Sequence, residues 1–186
     1  MIKSIILAGF GGQGIQFCSK QLALAGMYSD KKVTWMPAYG AESRGGTSNC
    51  TVIISDGNDI GSPVVAKPDI AFVMSAPAYK KFAARVAPGG IVIADSSMIS
   101  DADKLGRTDI TEYYIPATQL AYDNGMQKLA NLIMVGKLLK VTGIFTPDEV
   151  ANALRKSGAE EGKRGEDRSG LVEFNIKALN IGFSHE

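Results

Sequence analysis

The sequence predicts a three-layer α/β domain with a mostly parallel sheet, a hairpin insertion and a helical C-terminal third. Three observations carry that prediction. An apolar run of strand length, Lys3 to Ala8, passes through a glycine-rich turn into a segment of helical period. Two further apolar runs, Asp69 to Ser75 and Gly90 to Ala94, flank a helical stretch, and strand, helix, strand at this spacing implies a parallel crossover. Beyond Pro116 the spacing of apolar residues is mainly helical. With 186 residues, 45% hydrophobic and 21% charged, the chain fits one domain over residues 1–186. Folding should bury about 70% of the surface that the unfolded chain exposes.

Each element has a local reason. Lys3 to Ala8 is apolar, bounded by Gly9 and too short for a helix, so it reads as a buried strand. From Gln13 to about Met27, Ile15, Cys18, Leu22 and Ala25 recur at spacings of three or four and stack on one helix face. Lys32 to Met36 is a second strand, expected to stop at Pro37, which cannot donate to a central ladder. The stretch from Pro37 to Asn49 has three glycines and no period, and reads as a loop. Cys50 to Ser55 is strand-like, and Asp56-Gly57 is a turn signal that predicts a hairpin running back through Ile60 and Val64-Val65. A helix is expected from Ala78 to Val86 and a last strand from Glu112 to Ile115.

In the C-terminal third, Met126 to Val141 carries Met126, Leu129, Ala130, Ile133 and Met134 on one side. Thr146-Pro147-Asp148-Glu149 is a capping box with proline at the first helical position. The mixed-charge run from Glu160 to Arg168 reads as a solvated loop, and Leu171, Phe174, Ala178 and Ile181 mark a last helix from Leu171 to Phe183. No internal repeat or domain linker interrupts the pattern.

Composition narrows the function. Twenty Lys plus Arg against nineteen Asp plus Glu leave a net charge of +1, which gives no field for a polyanion, so no nucleic acid is expected as a partner. The apolar stretch Ser4 to Ala8 is too short for a signal-peptide core and no run reaches membrane-span length, which predicts a cytoplasmic protein without membrane contact. Cys18 and Cys50 are the only cysteines, too few for a disulfide framework, a four-thiolate cluster or a zinc ribbon. His185 is the only histidine and lies next to the last residue. Most triad and metallohydrolase mechanisms are thereby removed, and neither a catalytic residue in the strict sense nor a metal site is expected in this chain.

Gly9-Phe10-Gly11-Gly12-Gln13-Gly14 follows a strand and opens a helix, the context in which such a glycine pattern has meaning. The glycines permit positive φ, and the helix N-terminus offers unpaired N–H groups to a phosphate or carboxylate. The plainer reading is a tight crossover that binds nothing. A dinucleotide fold would place an acid at the end of the second strand, whereas here it ends Trp35-Met36-Pro37, and Asp30 lies in the turn before that strand. In the second loop, Glu42-Ser43-Arg44-Gly45-Gly46, Arg44 can present a bidentate fork to an anion, or simply pair with Glu42 on a solvated turn. In a doubly wound sheet the two loops share one edge. Cys18, one turn into the first helix but on its apolar side, and Cys50, in an apolar strand, read as core residues.

With these loops in view the sequence resembles, over nearly its whole length, the gamma subunit or gamma domain of 2-oxoacid:ferredoxin (acceptor) oxidoreductases. The resemblance rests on Gly9 to Gly14, on Pro37-Ala38-Tyr39-Gly40-Ala41-Glu42-Ser43-Arg44-Gly45-Gly46 and on Gly61-Ser62-Pro63-Val64-Val65. Phe10 and Gly45-Gly46-Thr47-Ser48-Asn49-Cys50 make it most similar to the 2-oxoglutarate branch. Ala41 stands where many relatives have proline, which leaves this loop less rigid.

The resemblance implies a Rossmann-like fold and a multi-subunit enzyme that decarboxylates a 2-oxoacid, passes electrons to ferredoxin or a similar acceptor and forms an acyl-CoA. Thiamine diphosphate and iron-sulfur clusters would sit on alpha, beta and ferredoxin-like partner subunits, with CoA as co-substrate and no cofactor bound by this chain alone. Carried over by motif position, it implies phosphate or partner contacts at Gly9, Gly11, Gly12, Gln13 and Gly14, and a second contact loop at Glu42, Arg44, Gly45 and Gly46. The rival expectations are a stand-alone NAD-type nucleotide-binding module and a purely structural subunit. The isolated chain can also dimerise through surface meant for its partners.

Overall fold

The computed structural model describes residues 2–38, 47–162 and 169–186. Its centre is a six-stranded sheet in the order β2-β3-β1-β4-β5-β6. These strands are β1 (Ile2–Phe10), β2 (Lys32–Ala38), β3 (Thr47–Ser55), β4 (Ile70–Val73), β5 (Ile91–Asp95) and β6 (Thr111–Ile115). β1, β4, β5 and β6 run parallel. β3 is antiparallel to both β1 and β2, so β2 again runs in the direction of β1. All four residues of β4 are buried, as expected for a parallel strand covered on both faces.

Alternation within the strands sorts their side chains into two layers. Ile5, Leu7, Val52, Phe72 and Ile93 pack against α1 (Ile15–Tyr28), α3 (Ala117–Asp123), α4 (Ala130–Thr142), α5 (Pro147–Gly162) and α6 (Ser169–Ser184). Ile6, Ala8, Ala71, Val73, Val92 and Ala94 face the opposite side, under α2 (Ala76–Phe82) with Tyr79, Phe82 and Val86. The three-layer α/β expectation therefore holds.

The tightest helix crossing is α4 on α6, made by paired glycines. A Cβ on Gly136 would collide with Leu179 O and lie 2.6 Å from Phe183 N. One on Gly182 would collide with Ile133 O and lie 2.6 Å from Ile133 C. The two backbones meet with no side chain between them.

Several boundaries differ from the sequence expectation. β2 runs through Pro37, which is opposite Cys50, because β2 is the edge strand and needs no ladder donor on its outer side. The hairpin through Ile60 and Val64-Val65 does not form, and residues 56–69 contain no strand. Both edges of β3 are already taken by β1 and β2, so a returning strand would have no partner; the hairpin in this sheet is β2 with β3. The connection is held instead by Arg85, which donates to Val65 O at 2.9 Å and Ala66 O at 3.2 Å. The helix expected from Met126 starts at Ala130. The helix expected over Ala78–Val86 starts two residues earlier, capped by Ser75, and ends in a 3-10 turn over Ala83–Arg85. The capping box forms as read: Glu149 N donates to Thr146 Oγ1 at 3.3 Å and Thr146 N to Glu149 Oε2 at 2.7 Å. Among the described residues no helix is long and apolar enough to cross a membrane.

Candidate functional site

The carboxyl end of β1 turns into α1 through Gly9 to Gly14. Gly9 is buried, and a Cβ there would run into Gln13 Oε1 and lie 3.1 Å from Ile15 Cδ1 and 3.2 Å from Met74 Cβ. Gly12 and Gly14 have φ of +91° and +73°, the left-handed region that a side chain rarely adopts. Gly14 is also the N-cap of α1, without a side-chain cap of its own. Its carbonyl accepts from Cys18 N at 3.0 Å and from Asn131 Nδ2, on α4, at 3.2 Å.

Gln13 fixes this loop from inside. Phe10 N donates to its Oε1 at 2.6 Å, and its Nε2 donates to Met74 O at 2.9 Å, just past β4. One side chain thus ties the ends of two neighbouring parallel strands together. The outer surface of the loop is open: Gly11 and Gly12 are exposed, and a Cβ on either would touch nothing within 4 Å. The first N–H groups of a helix have no intrahelical acceptor, and the first turn of α1 carries no acidic residue. The loop therefore offers backbone donors and the positive end of a helix dipole to a negatively charged group.

The second loop leaves from the same edge. Phe10 pairs in register with Thr47, and Ala38 with Asn49, so one flank of the segment lies beside the end of β1 and the other is one strand further out along the same edge. Glu42, Arg44, Gly45 and Gly46 themselves lie outside the described residues.

The strand order also bears on the nucleotide alternative. β3 lies between β1 and β2. The end of β2 is then two strand spacings, about 9–10 Å, from β1, whereas a dinucleotide fold holds its ribose from the adjacent strand. Position and residue type both fail there.

Three residues at this edge were not singled out by sequence reasoning. Asn131 braces Gly14, and a Cβ on Gly14 would collide with its Nδ2. Asp95, fully buried at the end of β5, accepts from Ser97 N at 3.0 Å, Thr118 N at 3.2 Å and Thr118 Oγ1 at 2.5 Å. It locks the start of α3 to the sheet, and an acid ending an apolar strand before two serines was a readable signal. Ser19, fully buried, accepts from Trp35 Nε1 at 2.9 Å and holds β2 against α1.

Cys18 is fully buried, and its Sγ donates to Ile15 O at 3.3 Å. Burial pushes the thiols of both Cys18 and Cys50 up, the opposite of what a reactive thiolate needs. Two buried thiols do not fit an iron-sulfur cluster, which takes four ligands. Among the described residues no three His, Cys, Asp or Glu side chains come together as a metal site.

The family model for pyruvate ferredoxin/flavodoxin oxidoreductase matches residues 4–185. The chain belongs to this family. A 2-oxoglutarate synthase subunit KorC from Methanocaldococcus jannaschii is 38% identical over 166 residues, which cover 87% of this chain and 88% of that subunit. A ketoisovalerate oxidoreductase subunit VorA from Methanothermobacter marburgensis is 35% identical over 95% of this chain, but the match covers only 35% of that longer subunit. Among solved structures, the gamma subunit of keto/oxoacid ferredoxin oxidoreductase from Geobacter sulfurreducens superposes with a TM-score of 0.77 at 27% identity, covering 97% of this chain and 96% of that one. The 2-oxoglutarate:ferredoxin oxidoreductase from Magnetococcus marinus, solved with 2-oxoglutarate, coenzyme A and succinyl-CoA bound, shares the fold with a TM-score of 0.82 at 22% identity, over 97% of this chain and 30% of that one. Within the oxidoreductase family, this chain is thus similar both to separate subunits of its own size and to one part of longer polypeptides.

Proposed function

We propose that this chain is the gamma subunit of a 2-oxoacid:acceptor oxidoreductase that oxidatively decarboxylates 2-oxoglutarate and transfers the acyl group to coenzyme A. The observation that carries the reading is the nearly end-to-end similarity to a 2-oxoglutarate synthase subunit of almost the same extent. Thiamine diphosphate and iron-sulfur clusters belong, in this reading, to alpha, beta and ferredoxin-like partner subunits. That division suits a chain with two buried thiols and one histidine.

The local role follows from the carboxyl edge. The open face of Gly11 and Gly12 and the N-terminus of α1 supply donors for a phosphate of coenzyme A, and Arg44, from the loop leaving the same edge, supplies a guanidinium fork. Glu42, Gly45 and Gly46 belong to the same proposed contact loop. Gly9, Gln13 and Gly14 set the loop's shape.

The test uses the assembled complex. A panel of 2-oxoacids is assayed for CoA-dependent dye reduction, and 2-oxoglutarate is expected to give the highest kcat/KM. Arg44→Ala is expected to raise the KM for coenzyme A about tenfold, the loss of about 1.4 kcal/mol of charge-assisted contact. An unchanged KM in a fully assembled complex would remove the coenzyme A role and leave a purely structural subunit.

A further inference from the structure

Two helices leave apolar surface uncovered beside this edge. Leu171 and Phe174, on the first turns of α6, are 63% and 51% exposed. They line a hollow of about 630 Å³ whose other walls include Met126, Lys128 and Leu129. A second hollow of about 180 Å³ shares Leu129, Leu171 and Asn175 with it and extends to Phe17, on the first turn of α1. The two make one groove that ends within a turn of Gly14.

The groove has a polar requirement too. Asn175 is 7% exposed, lines both hollows and makes no hydrogen bond to a described residue, and because no unpartnered side-chain N or O atom is buried among those residues, its amide reaches the open space of the groove. An occupant that covers the groove must pair this amide, since burying it unpaired would cost about 1–3 kcal/mol. At the rim, Lys128 forms no ion pair with a described carboxylate. Contiguous exposed apolar surface framed by polar groups is the usual anatomy of a protein interface.

We infer that this groove receives a segment of another subunit of the oxidoreductase, one that inserts aliphatic or aromatic side chains between Leu129, Leu171 and Phe174, hydrogen-bonds Asn175 and sets an acidic residue against Lys128. The inference rests on the gamma-subunit reading. The occupant is taken to be a different polypeptide because the same domain forms only 35% of the VorA chain and 30% of the Magnetococcus marinus chain, where about twice its length of other polypeptide is joined to it.

Tagged wild-type chain, Leu171→Asp and Phe174→Asp are each co-expressed with the remaining subunits and assembly is read by co-elution. Both substituted side chains are more than half exposed, so the isolated variants are expected to melt as wild type. Val64→Asp, at a residue 69% exposed in the connection between β3 and β4, is the control. The expected result is at least tenfold weaker recruitment by the two groove variants and wild-type recruitment by the control. Groove variants that assemble like wild type overturn this inference alone. So does an isolated wild-type dimer that Leu171→Asp splits while assembly is untouched, since the groove then serves a second copy. A wild-type chain that recruits no subunit overturns the gamma reading, and the occupant with it.

Discussion

Replacing Gln13 with leucine tests whether this side chain holds the glycine loop together or serves as a contact for a ligand. Leucine keeps much of the bulk but loses the acceptor for Phe10 N at 2.6 Å and the donor to Met74 O at 2.9 Å. A net contribution of about 0.5–1.5 kcal/mol per hydrogen bond sums to about 1–3 kcal/mol. For a domain of this size, each kcal/mol lowers the Tm by about 2–4 °C. Gln13→Leu should therefore melt roughly 2–12 °C below wild type in a circular dichroism scan. Gln13→Glu adds a sharper discrimination. Its carboxylate still accepts from Phe10 N but sets a negative oxygen against Met74 O, so the carboxyl is favoured in its protonated form in the folded state. A raised folded pKa makes the deficit largest at neutral pH, and it shrinks as pH falls toward the ordinary glutamate value near 4.3. If Gln13→Leu melts with wild type while the KM for coenzyme A rises in the complex, Gln13 is a ligand contact and the internal brace is wrong.

Three further outcomes follow from the packing and the electrostatics. Gly182→Ala should destabilise the chain by about 1–3 kcal/mol or more, because its Cβ has no room against Ile133, whereas Gly170→Ala, in open space on the same helix, should be neutral or stabilising by up to about 1 kcal/mol; denaturant midpoints of the two decide it. Burial, aided by the nearby Lys140 charge, holds the Lys137 ammonium below its ordinary pKa, so the folded state binds fewer protons and stability rises with pH up to about 10.4. Lys137→Met should thus be stabilising near neutral pH, by a margin that narrows toward pH 10 in parallel urea titrations. Finally, Cys18 and Cys50 should resist a thiol reagent in the native chain and react only at the rate of unfolding, because both are buried and their thiols are pushed up; prompt modification would contradict their place in the core.

What could be read from the sequence was whatever depends on one segment at a time. β4 and β5 announce themselves because parallel strands buried on both faces are continuous apolar runs, and Thr146 with Glu149 caps a helix through contacts three residues apart. The place of β3 between β1 and β2 was not legible: periodicity gives a strand its faces but not its neighbours, and Asp56-Gly57 looked like a hairpin turn only while the edges of β3 were thought vacant. The site divides the same way. Gly9 to Gly14 stood out by spacing, but the partners that give Gln13 and Gly14 their roles, Met74 and Asn131, lie 61 and 117 residues away along the chain. An asparagine within an apolar helix carries no mark of which carbonyl it will brace.

The most direct test of the account is a gentle affinity isolation of this chain from the cell that makes it, with identification of the co-purifying polypeptides and an assay for 2-oxoglutarate-dependent, coenzyme A-dependent dye reduction. Thiamine-binding and iron-sulfur subunits are expected in fixed ratio to this chain, together with that activity. A solitary chain that binds NAD and brings down no partner would contradict it.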